Sequence, residues 1–129
     1  MGSRWRRVFT EAYRFLAVGG VATIVAFQVA DLEVMLEASR MLTYKAAAMK
    51  DAGRPMKEFK QAAAIAKLYA TESAVTATRI ATQVFGGYGF MEEYPVTRFY
   101  RDAKVLEIGE GTSEVQRMLI ARGRGLPVE

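Results

Sequence analysis

Two long stretches of helical periodicity, joined by a short break, constrain the fold of this 129-residue chain more than any other feature. The first covers about residues 28–51 and the second about residues 57–84. In both, apolar residues recur at steps of three and four, which is the period of one helix face. Gly53 suits the position just beyond a helix end, and Pro55 cannot continue the first helix. The short connection predicts that the two helices are antiparallel neighbours in a bundle.

Composition fits one soluble, all-α domain. Apolar residues make up 51% of the chain and charged residues 25%, with only three prolines, and the length is that of a single domain. The chain has no cysteine and no histidine. This excludes disulfides, thiol nucleophiles and imidazole acid–base chemistry, so Asp, Glu, Lys or Tyr must carry any proton transfer. We predict no metal site.

The net charge of +4 is too dispersed to predict a nucleic-acid partner. Nucleic-acid recognition usually needs a basic patch or stripe on one face. Here the basic excess lies at both ends of the chain, in Arg4, Arg6, Arg7, Arg14, Arg117, Arg122 and Arg124. A small anionic ligand fits this charge equally well.

Residues 1–26 form an atypical N-terminal segment. Arginines are followed by an apolar run over residues 15–26, in the outline of a signal peptide. The run is shorter than the roughly 20 apolar residues that a membrane helix needs, so we predict no integral membrane span. We favour a segment that packs on the other helices or that lies outside the fold. A basic, membrane-associated protein that uses residues 4–27 is a further alternative.

The second helix should end at Gly86-Gly87, where a cluster of glycines begins. This cluster is not a dinucleotide-binding fingerprint, because it has the wrong spacing and does not follow a strand. By itself it is most simply a helix stop. We predict an irregular aromatic loop over residues 88–95, and then a short helix over about residues 96–104 in which Pro95 suits the first turn.

A carboxylate between two glycines precedes the last helix, in the turn Gly109-Glu110-Gly111. Glycines allow positive φ or a close approach of the backbone to a ligand. The plain alternative is that an acidic residue is favoured ahead of a helix N-terminus. The last helix should begin near Thr112 or Ser113, since Ser113 and Gln116 have the spacing of a capping box.

The order and spacing of these motifs together resemble the acyl-CoA dehydrogenase family. The matching segments are Ala38–Ala47, Gln83–Phe90, Tyr94–Val96, Arg101–Lys104 and Ile108–Arg117. The resemblance begins near residue 27, so we divide the chain into residues 1–26 and a C-terminal helical domain over residues 27–129.

The resemblance implies an all-α, antiparallel four-helix bundle like the C-terminal domain of that family. Family members bind FAD and oxidise an acyl-CoA, in fatty acid metabolism, to the enoyl-CoA. A carboxylate takes the α-proton, a hydride passes to the flavin, and an electron-transferring flavoprotein accepts the electrons. They are usually homo-oligomers, and the expected location is the cytoplasm, or the mitochondrial matrix in a eukaryote.

The resemblance also assigns the site residues. Glu110 would be the catalytic base, which points to a short-, medium- or short-branched-chain type, and Gly111 would contact the acyl-CoA. The residues implied to contact FAD are Gln83, Val84, Phe85, Gly86, Gly87, Thr112, Ser113 and Glu114, of which the first five would touch FAD held mainly by a neighbouring subunit.

The chain departs from the family upstream of residue 27. The two upstream domains of the family have no counterpart in this sequence. We therefore expect an N-terminally truncated member of the family, and we expect this chain alone to be an incomplete enzyme. The alternative function is a non-catalytic helical bundle that self-associates or pairs with a full-length relative.

Overall fold

The computed structural model describes residues 3–128, with side chains described from Gly19 onward. This part of the chain is helical and contains no strand, which confirms the all-α fold. The elements in chain order are α1 (Ser3–Asp51), α2 (Met56–Val84), a 3-10 helix (Gly86–Phe90), α3 (Pro95–Ile108) and α4 (Ser113–Gly123).

The predicted break between the two long helices is confirmed. α1 ends at Asp51, and Gly53 takes a φ of 62° in the left-handed region. The N–H of Arg54 donates to the carbonyl of Met49 at 3.0 Å, which closes the helix end. Pro55 then caps the start of α2.

The connection after α2 differs from its prediction in two ways. A 3-10 helix over Gly86–Phe90 follows α2 and takes in residues 88–90 of the stretch predicted as an irregular aromatic loop. α3 starts at Pro95 as the proline predicted, but it continues to Ile108 rather than ending near Lys104. Its last residues are apolar and charged helix formers with no glycine before Gly109, so nothing local stops the helix earlier.

α2 is the central element, because α3, α4 and the 3-10 helix all pack against it. Small residues make this close packing feasible, and Ala64 and Ala66 are only 3% and 6% exposed. The other buried apolar residues are Ala46, Val96 and Ala103. The sequence period predicts an inner face of α2, and most of its positions are buried or half-buried, whereas Tyr69 and Val84 are exposed. The residues of this face are Phe59, Ala62, Ala66, Tyr69, Ser73, Ala77, Ile80 and Val84.

The chain divides into two compact units, residues 1–31 and residues 32–129. Within the second unit, the part of α1 that includes Leu32 and Ser39 lies opposite the part of α2 that includes Ala70 and Ala77. A cavity of about 160 Å³ remains between these two segments. The two segments lie at similar distances along the chain on either side of the break at Gly53, so α2 runs back along α1 as an antiparallel neighbour, in agreement with the sequence prediction.

In the first unit, α1 exposes large apolar side chains, including Val21, Ile24 and Phe27. By length and composition the part of α1 from Gly19 to Asp51 could cross a membrane, with a mean hydropathy of 1.5 in its most apolar window. One such helix near an N-terminus is weak support for a span, because core helices and signal sequences share this character. The side chains of residues 1–18 lie outside the described part of the chain, and the boundary at residue 27 stays a prediction.

Candidate active site

The turn between α3 and α4 has an unusual backbone. Among the residues that the structure describes, Glu110 is the one non-glycine residue with a positive φ, at 53°, and Gly111 follows with a φ of 94°. The left-handed conformation costs a residue with a Cβ roughly 1–2 kcal/mol. Such residues persist where the surroundings hold them, and they concentrate at functional sites.

Two side chains from neighbouring helices hold this turn. Lys67 of α2 donates from Nζ to the carbonyl of Gly111 at 2.7 Å. Gln116 of α4 donates from Nε2 to the same carbonyl at 3.1 Å and reaches the carbonyl of Glu110 at 3.5 Å. Gln116 is only 6% exposed, so its amide is committed to the turn rather than to water.

Gly111 is required here for two independent reasons. Its φ of 94° lies in the region that side chains with a Cβ rarely adopt. A Cβ at this position would also lie 2.8 Å from Nε2 of Gln116. The close approach of Gln116 to the turn therefore depends on the glycine.

The capping box predicted from Ser113 and Gln116 is wrong. Thr112 is the N-cap of α4, and its Oγ1 accepts the N–H of Val115 at 3.4 Å. Ser113 is consequently the first helical residue, and Gln116 turns back to the carbonyls of the turn. The Oγ of Ser113 is buried without a hydrogen-bond partner among the described residues.

The carboxylates of Glu110 and Glu114 both belong to exposed residues. A hydrogen bond from the Thr112 hydroxyl, and a second one from its own backbone N–H, lower the pKa of Glu114. Glu110 is accessible to a ligand, but the described residues do not enclose it. A dry environment that raises the basicity of a carboxylate would have to come from other groups.

The other predicted cofactor segment lies at the opposite end of α3. Residues 83–87 are all exposed, and Gly86 has a φ of 58°. Gln83 and Gly86 border a cavity of about 610 Å³, together with Phe90 and other residues of the 3-10 helix and α3. No residue of the Glu110 turn lines this cavity, so the structure does not bring the two segments into one pocket.

Sequence reasoning missed Lys67 and the role of Gln116. The available signal was position: Lys67 is the one charged residue in the apolar, alanine-rich run from Ala62 to Ala70. A lone cation on a packed helix face needs a polar partner. The partner is the backbone carbonyl of Gly111, which is distant in sequence. A pattern of side chains cannot predict a bond to a backbone group.

Comparison with known proteins shows the family to which the chain belongs. The family model described as "Acyl-CoA dehydrogenase, C-terminal domain" matches residues 7–124. The chain therefore belongs to the acyl-CoA dehydrogenase family, a family of oxidoreductases, through its C-terminal helical domain. The match also extends upstream into the segment that we described as atypical.

Several similar proteins are named as short-chain enzymes. The chain is 50% identical over 95 residues to the short-chain specific acyl-CoA dehydrogenase of Megasphaera elsdenii, covering 74% of this chain and 24% of that protein. Solved butyryl-CoA dehydrogenase from the same organism superposes with a TM-score of 0.74 at 47% identity, covering 79% of this chain and 26% of the other. A chain from a study of the electron transferring flavoprotein of Acidaminococcus fermentans also has a TM-score of 0.74, at 40% identity and with the same coverage. The chain thus spans about a quarter of the length of these relatives.

Proposed function

We propose that this chain is the base-bearing domain of an enzyme that dehydrogenates an acyl-CoA thioester between Cα and Cβ to give the enoyl-CoA. Membership of the family and similarity to short-chain relatives support this reaction. The observation that carries the proposal is the conformation of Glu110, a left-handed carboxylate residue whose carbonyl and following carbonyl are both hydrogen-bonded.

In this reaction Glu110 would be the general base. A base must lie within hydrogen-bond reach of the proton that it removes. The turn presents Glu110 at the surface of the domain, where an acyl-CoA held partly by other domains could meet it. Glu110 would take the α-proton and hold it on a carboxylate oxygen, and Gly111 would contact the thioester side of the substrate.

The residues present fit FAD as the cofactor. The buried Oγ of Ser113 has no hydrogen-bond partner within the described part of the chain, and it lies in the first turn of α4, where backbone N–H groups have no intrahelical acceptor. Such a terminus suits phosphate or other polar ligand oxygens. Thr112, Ser113 and Glu114 would hold FAD there. When bound, FAD supplies the hydride acceptor for the β-carbon.

The segment Gln83–Gly87 would contact a different FAD, that of a neighbouring subunit. Its separation from the Glu110 turn and its exposed position beside the 610 Å³ cavity support this assignment. We therefore propose a homo-oligomer as the active form. The similarity to a chain from work on an electron transferring flavoprotein supports such a protein as the electron acceptor. The proposed location is the cytoplasm, or the mitochondrial matrix in a eukaryote.

Substitution of Glu110 tests the proposed function. Residues 28–129 would be joined to the upstream domains of the Megasphaera elsdenii relative, and turnover of butyryl-CoA measured. Glu110→Gln keeps the shape of the side chain and removes its basicity. Turnover should fall by at least the roughly 10²–10⁴-fold expected of a positioned general base, with substrate and FAD still bound.

The matched control is Glu107→Gln, a carboxylate at the end of α3 that pairs with Lys104. Its side chain is only 15% exposed and its carboxylate is engaged by Lys104, so it is not free to meet the α-proton, and turnover should stay near that of the parent. If Glu110→Gln behaves like this control, Glu110 is not the base. A chimera that folds and assembles but never turns over would favour the alternative, a non-catalytic bundle that self-associates or pairs with a full-length relative.

A further inference from the structure

We infer that Lys67 and Gln116 are positioning residues for Glu110. They fix the direction of its carboxylate by holding the carbonyl that follows it in the chain. This inference rests on the proposed function, because the direction of the Glu110 carboxylate matters if Glu110 removes the α-proton. It assigns a role to a lysine in the middle of α2 that is not itself expected to touch substrate or cofactor.

The Gly111 carbonyl is held by two side chains. This one oxygen accepts hydrogen bonds from Lys67 Nζ at 2.7 Å and from Gln116 Nε2 at 3.1 Å. The two donors come from different helices. This carbonyl belongs to the peptide plane between Gly111 and Thr112, and the plane before it carries the Glu110 carbonyl, which Gln116 Nε2 reaches at 3.5 Å. Because both planes that follow Glu110 are held, the backbone on its C-terminal side cannot rotate out of the turn without breaking a hydrogen bond.

The second step concerns the environment of the donors. Gln116 is buried and Lys67 is part-buried. A hydrogen bond to a charged donor is stronger than one between neutral groups, and it is stronger again where water is excluded. The pair is therefore suited to holding a residue in a conformation that its own backbone disfavours.

The third step is a comparison with another link between the same helices. Arg117 Nη2 of α4 donates to Glu72 Oε1 of α2 at 2.6 Å, with side chains 53% and 38% exposed. This pair also joins α2 to α4, but it does not touch the turn. If Lys67 mattered only because it ties the two helices together, loss of Arg117 should have a similar effect.

The first experiment uses nuclear magnetic resonance on the chain of residues 1–129. The readouts are the three-bond N–H to Hα coupling of Glu110, which reports φ, and the carbonyl ¹³C shift of Gly111, which reports its hydrogen bonds. In Lys67→Met the coupling should move away from its left-handed value and the carbonyl should move upfield. Arg117→Met should change neither. Unchanged values in Lys67→Met, or its global unfolding by circular dichroism, would overturn the inference.

The second experiment uses the same chimera as the test of Glu110. Lys67→Met should lower kcat by up to about 10²-fold, the loss expected when a reacting group is misplaced by about 1 Å, while KM changes little. Lys67→Arg keeps a charged donor and should restore most of the turnover, and Arg117→Met should resemble the parent. A loss of activity that Lys67→Arg does not restore, or an equal loss in Arg117→Met, would overturn the positioning role.

The two proposals can fail separately. If Glu110→Gln retains turnover, the base assignment fails, whatever Lys67 does. If Glu110→Gln abolishes turnover and Lys67→Met does not reduce it, the base assignment stands and the inference about Lys67 is wrong.

Discussion

The Glu110 turn and the segment Gln83–Gly87 are both glycine-rich helix ends, and both are expected to meet flavin, but they are built differently. The turn is held from within the chain, by Lys67 of α2 and by the buried Gln116 of α4. Residues 83–87 are all exposed and border an open cavity. The chain therefore holds the backbone of the proposed base from within, whereas the side chains of the second segment stay exposed among the described residues.

The glycines of the two regions differ in what an added Cβ would meet, and alanine substitutions can therefore test the comparison. Just beyond the exposed segment, Gly89 is buried, and a Cβ there would lie 2.2 Å from the backbone oxygen of Thr82. Backbone atoms of a packed helix cannot move aside, so Gly89→Ala should cost about 3 kcal/mol, at the upper end of overpacking. Urea unfolding followed by circular dichroism measures this. Gly87→Ala, with nothing within 4 Å, is the control, and equal costs would contradict the described packing.

The next effect concerns the turn itself. Gly111→Ala combines a φ of 94° with a contact of 2.8 Å to a side-chain nitrogen of Gln116. The side chain can yield where backbone cannot, so we expect a cost of about 2 kcal/mol, mostly from the left-handed conformation. Gly109→Ala has an ordinary φ of −67° and should cost less. A Gly111→Ala variant as stable as Gly109→Ala in urea would show that the turn is not held as described.

Gly86 isolates conformational strain from packing. Its φ is 58°, and a Cβ there would meet nothing within 4 Å. Gly86→Ala should therefore cost about 1 kcal/mol, the price of the left-handed region alone. Its urea midpoint should fall between those of Gly87→Ala and Gly111→Ala. Any other order would contradict the described difference between the two regions.

The smallest effect is a pH dependence at the start of α4. The pKa of Glu114 lies below its ordinary value of 4.5, chiefly because the Thr112 hydroxyl donates to its carboxylate. A carboxylate with a lowered folded-state pKa stabilises the fold above its unfolded pKa, and this contribution is lost as the pH falls through the folded value. The difference in urea midpoint between the parent and Glu114→Gln should thus be larger at neutral than at acid pH. A difference that grows on acidification would contradict the described hydrogen bonding.

Sequence patterns predicted the parts of the fold that depend on local chemistry. The period of three and four gave the second helix almost to its ends, and Gly53 with Pro55 marked the break before it. Sequence patterns failed where the local structure depends on a residue that is distant in the chain. Ser113 and Gln116 have capping-box spacing, but Thr112 caps the helix, because Gln116 is drawn to the carbonyls of a turn that Lys67 also holds. The place of Glu110 between two glycines is visible in the sequence, whereas the hold on its turn comes partly from Lys67 of α2, which lies more than 40 residues from Gly111 in the chain.

The central claim is that Glu110 removes the α-proton, and proton exchange tests it most directly. The chimera that carries residues 28–129 would be incubated with butyryl-CoA in D₂O, and deuterium uptake at the α-carbon followed by nuclear magnetic resonance. We expect exchange by the parent and by Glu107→Gln, and a loss of at least about 10²-fold in Glu110→Gln. Exchange by Glu110→Gln at the rate of the parent would contradict it.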